Sequence, residues 1–153
     1  MSKSFSLDFS DFEKGLRRIA REVIPEVAEK AMAQAGMQLL NDCIMEPPTV
    51  PIKEGWLRGS GSVHVQNKLI AKSDQGKPGM AEETVSEPID PGKIAARVGF
   101  NTPYAAKLHE GIGFKFSEPS AGPKYLESKL LKNKNKYFQI IADVIKAASK
   151  GGR

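Results

Sequence analysis

The chain has 153 residues and a net charge of +5, from 23 basic and 18 acidic side chains. Its hydrophobic content of 40% and charged content of 27% are those of an ordinary globular domain, and no apolar run approaches the roughly 18 residues that span a bilayer. A single cysteine, Cys43, excludes an internal disulfide framework, and two histidines distant in sequence offer no zinc set.

Length alone predicts one domain covering residues 1–153, with frayed ends at 1–8 and 150–153. Asp8, Asp11 and Glu13 stand where an export signal needs an apolar stretch, so export by that route is not expected. Ser10 and Glu13 have capping-box spacing. From there apolar residues recur in steps of three and four (Phe12, Leu16, Ile19, Val23, Val27, Ala31, Ala35, Leu39), which predicts a long helix. Pro25 removes an amide donor within it and predicts a kink or two abutting helices. Pro47 and Pro48 end the element. On the flank of this helix, Cys43 reads as a small core residue.

Residues 60–73 alternate loosely and predict one long strand or a hairpin. His64, between Val63 and Val65, falls at a solvent-facing strand position on that reading. Gly59-Ser60-Gly61 and Gly76-Lys77-Pro78-Gly79 lack the spacing of a phosphate loop and read as flexible turns. The stretch 74–92 is rich in Glu, Asp, Pro and Gly, and predicts an exposed arm or loop. Residues 93–100 return to strand character, with Ile94, Ala96 and Val98 on one face. Thr102-Pro103 then starts a short helix that Gly111 stops.

After a loop over 112–121, Gly122-Pro123 suits a helix start with proline in first position. The buried stripe of that last helix would be Leu126, Leu130, Tyr137, Ile141, Val144, Ile145 and Ala148. The order of elements predicts an α+β fold: a long proline-kinked N-terminal helix, a small antiparallel sheet with a long exposed loop, a short helix and a long C-terminal helix.

Candidate chemistry is sparse, and no catalytic, cofactor or metal residue is assigned. His109 and Glu110 are adjacent, but helix neighbours point in different directions, so adjacency does not make an acid–base pair. No serine or cysteine sits in a nucleophile motif. Lys124, Lys129, Lys132, Lys134 and Lys136 interleave with Tyr125, Tyr137 and Phe138, but no DNA- or RNA-binding signature accompanies them. The lysines read as a solvated face and the two later aromatics as core.

Three segments remain, each joining a turn residue to an apolar anchor and a charge. The first contains Pro51, Gly55, Trp56, Leu57, Arg58 and Ser60; the second Tyr104, Glu110 and Gly111; the third Gly122, Pro123, Tyr125 and Leu126. Their order and spacing resemble those of the head–tail joining and tail-completion (minor capsid) proteins of long-tailed phages, over most of the chain. Lys53-Glu54 stands where that family often has Asp-Thr, and the 74–92 stretch is longer than in its simplest members.

The resemblance implies a non-enzymatic virion protein of the neck, assembled in the host cytoplasm as a homo-oligomeric ring with a hexamer favoured. Its partners would be portal or head-completion proteins on one side and tail terminator or tail-tube proteins on the other. Genome DNA would pass through without sequence-specific contact, and no membrane or cofactor is involved. In that setting Gly55 would permit a turn with positive φ, and Trp56 and Leu57 would anchor the first strand to the helices. Arg58 and Glu110 would form either a partly buried ion pair or two separate surface charges. The rival readings are a small basic nucleic-acid-binding or regulatory module and a small hydrolase using His109 and Glu110.

Overall fold

A computed structural model describes residues 3–7, 25–51, 55–73, 94–100, 105–110 and 120–151. In chain order these form strand β1 (Lys3–Leu7), helix α1 (Pro25–Met45), the helical turn α2 (Trp56–Gly59), and strands β2 (Gly61–Val65), β3 (Lys68–Lys72) and β4 (Ala96–Phe100). Helices α3 (Ala105–Glu110), α4 (Glu127–Lys132) and α5 (Lys134–Gly151) follow. The fold is α+β, as the order of sequence patterns implies.

The strands make one antiparallel sheet in the order β1-β4-β2-β3. β1 is a correction: Lys3–Leu7 is not frayed but pairs residue by residue with β4, from Lys3 opposite Phe100 to Leu7 opposite Ala96. The polar residues at alternate positions of this short segment hid its strand character. The hairpin alternative holds for 60–73. Gln66 and Asn67, at φ 51° and 68°, form a two-residue turn with both central residues left-handed, the geometry that matches strand twist. The Gln66 side chain fixes the turn by accepting the Ala95 amide at 2.8 Å. The ladder between β2 and β3 is interrupted by a register shift at Val63/His64.

One face of the sheet carries α1. Ala31, Ala35 and Leu39, three members of the predicted stripe, are fully buried, and Cys43 joins them in the core. Gly36 marks a close approach: a β-carbon there would stand 2.7 Å from Val63 Cγ1, so helix and strand are closer than alanine permits. Ala96, Val98 and Phe100 of β4 complete this layer, with Ile94 packed at its edge. Pro25 occupies the first position of α1, where its missing amide costs nothing; the residues before it, including the capping box and the site of the expected kink, lie outside the described residues. Pro47-Pro48, joined by a cis peptide bond, follow the helix end.

The C-terminal helix differs from expectation in two ways. Pro123 is not its first residue. Residues 123–126 form turns, with Lys124 at φ 57°, and the helix begins at Glu127. It is also divided at Asn133, where ψ rises to 17°. The backbone bonds around the division persist, since Asn133 N–H reaches the Lys129 carbonyl and Tyr137 N–H the Asn133 carbonyl. At this point the side chain reaches sideways: the Asn133 amide donates to Glu46 Oε2, just past the end of α1, at 3.0 Å. Tyr137, Ile141 and Ile145 are buried as predicted, and Leu130, Phe138 and Val144 pack at the margin of the core. α5 runs along α1, with Lys136 and Tyr137 near Asp42 and its residues 140–148 near Val27.

His64 is a second correction on the sheet. It is 3% exposed, because β2 lies inside the sheet between β4 and β3 and all five of its residues are buried. The turn predicted at Gly59-Ser60-Gly61 is likewise packed rather than flexible: all three residues are buried, and Ser60 Oγ donates to the Leu57 carbonyl at 2.6 Å. The 74–92 arm, residues 112–119 of the expected 112–121 loop and residues 152–153 lie outside the described residues, and of Lys150 only the helical backbone is described.

Candidate functional site

The first and third motifs meet around the short linker that follows α1, and Glu110 of the second is joined to the third. Val50 N–H donates back to the Cys43 carbonyl at 2.9 Å and turns the chain off the helix. Thr49 then forms a parallel bridge with Ala121: its amide donates to the Ser120 carbonyl at 2.8 Å, and its own carbonyl accepts the Gly122 amide at 3.3 Å. The third motif is thus seated on the linker before it reaches its helix.

The first motif grips the same linker from the other side. Gly55 sits at φ 84°, a left-handed conformation that glycine adopts without steric cost. It launches α2 and points Leu57, 1% exposed, into the core. Arg58 Nη2 then donates to the Val50 carbonyl at 2.6 Å. Pro51 and Ser60 are buried. Trp56, by contrast, is 39% exposed and is not the anchor expected of it; α2 turns it outward while Leu57 faces the core. No segment of the sequence suggested this helical turn, because four residues are too few to show a period.

The second and third motifs are welded to each other. Tyr125, 2% exposed, donates its hydroxyl to the Ala105 carbonyl at 3.0 Å, and its ring meets Phe100 and His109 edge-on at centroid distances of 5.5 and 4.9 Å. Lys124 N–H donates to the His109 carbonyl at 2.7 Å. The Lys124 ammonium bonds to Glu110 and lies 3.2 Å from Glu127 Oε2. The described partners of Glu110 are therefore Lys124 and His109, while Arg58 turns to Val50; of the two alternatives for Arg58 and Glu110, the mutual ion pair is not among the contacts of the described residues. Tyr104 and Gly111 lie outside them.

His109 is 1% exposed, and its contact with Glu110 corrects the expectation from helix geometry. Nδ1 lies 3.1 Å from Glu110 Oε1, because the carboxylate folds back over the helix end. Nε2 accepts the Glu127 amide at 3.2 Å, so the imidazole is neutral with its proton on Nδ1. Both nitrogens serve the junction between α3 and α4.

The lysine cluster divides. Lys129 is fully buried, against the expectation of a solvated face. Its Nζ donates to the Pro48 carbonyl at 2.7 Å, to the Tyr125 carbonyl at 3.1 Å and to Ser128 Oγ at 3.2 Å. Burial lowers its pKa, opposed by the nearby carboxylates of Glu46 and Asp42. Lys136 reaches Asp42 Oδ2 at 2.9 Å, and that hydrogen bond raises its pKa. Lys132 and Lys134 are exposed, Lys134 lying over the Phe138 ring.

Asp42 is the second hub, 2% exposed on α1. It accepts from Gln38 at 2.9 Å, Lys136 at 2.9 Å and the Tyr137 hydroxyl at 2.7 Å. Sequence reading overlooked both hubs, although a signal existed. Lys129 and Asn133 fall on the four-residue steps that join Tyr125 to Tyr137, and Asp42 falls three residues after Leu39 on the buried stripe. A polar residue in phase with a core stripe marks a buried hydrogen-bonding node.

Between α1 and α5 lies an open groove of about 560 Å³, lined by Val27, Ile140, Val144 and Ala147 with Lys30 and Asp143 at its margin. Among the described residues no group of three or more His, Cys, Asp or Glu side chains could hold a metal ion, and no helix is long and apolar enough to cross a membrane. No family model, curated protein or solved structure matches this chain.

Proposed function

We propose that this chain is a structural assembly protein of the tailed-phage neck, forming a closed homo-oligomeric ring that joins the head connector to the tail. The observation that carries the reading is the way the described residues of the three motifs are tied to the linker and to one another. Arg58, Gly122, Tyr125 and Glu110, with Lys129 beyond them, spend their polar groups on fixing one linker and two helices. Such a joint holds the elements of a small domain at fixed angles, which a ring subunit needs in order to repeat identical contacts around a closed circle.

A hydrolase using His109 and Glu110 draws little support, since His109 is buried with its Nε2 lone pair committed to a backbone amide. The nucleic-acid-binding alternative is also weakened. Lys129 is buried, and Lys124 and Lys136, themselves at the surface, are tied to carboxylates, so three of the five lysines are engaged by protein acceptors. In the ring, portal or head-completion proteins would lie on one side and tail terminator or tail-tube proteins on the other, with the genome passing through by shape and charge alone.

Electron microscopy of the purified protein in negative stain tests the proposal. Closed rings with a central opening are expected. Monomer-sized particles at every concentration, together with DNA affinity that falls steeply between low and moderate salt, would favour the nucleic-acid module instead.

A further inference from the structure

His109 holds a position that only its neutral form fits. It lies at the end of α3 and is 1% exposed, with the edge of Tyr125 against its ring. Nδ1–H points to Glu110 Oε1, and Nε2 presents a lone pair to the Glu127 amide, the first N–H of α4. A proton on Nε2 replaces that lone pair with a second donor facing the first, inside a buried contact. The hydrogen bond is then lost and two partial positive charges oppose each other at a helix N-terminus, where the dipole already disfavours a cation.

The charged and titratable groups around it sharpen the effect. Glu110, on the same helix, would favour an imidazolium, but it is 39% exposed and already paired with Lys124. From the segment entering α4 come the Lys124 ammonium and the Glu127 carboxylate, which pair with each other, and from α4 itself buried Lys129. Cys43 of α1 and Tyr125 stay neutral in this range, because burial pushes both of their pKa values up. Among the described contacts of His109, one shared carboxylate favours the charge and the Glu127 amide opposes it.

We propose that His109 is an acid-operated latch on the joint between α3 and α4: neutral, it locks the second motif to the third, and on taking a proton at Nε2 it releases Glu127 and lets the joint open. The inference is independent of the assembly reading, because it concerns one hydrogen bond inside a single chain. It assigns to the fold a switch in the range where histidine titrates, about pH 5 to 7.

Hydrogen exchange of the intact protein, corrected for intrinsic rates, reads the latch directly at the Glu127 amide. Between pH 7 and pH 5 the opening equilibrium at Glu127 should rise by up to about tenfold per pH unit, the slope for uptake of one proton. The Val98 amide, inside the sheet, should not follow it. That control also separates His109 from His64, the other histidine, which lies in β2 and would act on the sheet. His109→Gln places an amide oxygen where Nε2 accepts and does not titrate, so its Glu127 amide should exchange independently of pH. Nitrogen NMR of the wild-type imidazole gives a second measurement that needs no variant: at pH 7 Nδ1 should carry the proton and Nε2 should be unprotonated. A Glu127 amide whose protection is the same at both pH values, an equal loss in His109→Gln, or an Nε2-protonated ring at pH 7 would each overturn the proposal.

Discussion

Lys129 places an amine where the side chain has no contact with water, and two backbone carbonyls from different parts of the chain depend on it. Replacing it with methionine keeps most of the volume and leaves the Pro48 and Tyr125 carbonyls without their donor. Lys129→Met should therefore destabilise the fold by about 2 kcal/mol in urea titration at pH 7. The loss should also grow toward alkaline pH. Burial lowers the folded-state pKa of Lys129, so between that value and the ordinary lysine range near 10.4 the unfolded chain binds more protons, and the wild type gains stability as pH rises. Tyr137 behaves in the opposite sense. Its pKa is raised, first by burial and then by the hydrogen bond to Asp42, so its contribution is complete below about pH 10 and is lost as pH climbs through the folded-state value. Tyr137→Phe should flatten the alkaline fall of stability seen in the wild type, and an unchanged slope in that variant would remove Tyr137 from the account. At this scale the sequence was legible for Gly55, Leu57, Tyr125 and Cys43, whose turn chemistry or apolar character announces their place. It was misread for Lys129, His64 and Trp56. A lysine, a histidine flanked by valines and a tryptophan in a turn each have a usual location, and the tertiary surroundings overrode it.

Among the elements, the contact between α1 and β2 lies close to a steric limit. A β-carbon at Gly36 would meet Val63 Cγ1 at 2.7 Å, and Val63 is itself fully buried in an interior strand. Gly36→Ala should cost about 2 kcal/mol through overpacking, despite the better helix propensity of alanine. Val63→Ala, costly alone because it leaves a cavity, should recover part of that loss in the double variant. A double-mutant cycle by thermal or urea unfolding measures the coupling, and strict additivity would mean that the helix moves away freely. The elements themselves were largely readable. α1 and α5 follow stripes of period near 3.6, and β4 alternates cleanly through Ala96, Val98 and Phe100. What escaped were pieces too short or too polar to carry a period: β1, with serines at alternate positions, and the single turn of α2. The division at Asn133 escaped for a different reason, since the side chain there meets a carboxylate far away in sequence.

For the whole molecule, the paired hubs explain how a chain with few aromatic residues holds several elements in place. Lys129 ties α4 to the linker and Asp42 ties the start of α5 to α1, so the two helices on either side of Asn133 are each pinned through buried polar groups. The sheet adds a device of its own. β3, an outer strand among the described residues, is flanked by Lys68 and Lys72, and the ladder joining it to β2 shifts register. Both features discourage indiscriminate pairing of a sheet edge with other chains. A subunit that must join its neighbours in one arrangement benefits from suppressing the unspecific one. The resemblance in three motifs suggested the proposed role, and among the described residues those motifs serve to join the linker and the helices. Native mass spectrometry of the purified protein across a concentration series tests this central claim most directly. The account predicts a discrete closed oligomer, six-fold in the favoured case, that grows with concentration at the expense of monomer without intermediate ladders; a monomer at every concentration, or an open-ended series of oligomers, would contradict it.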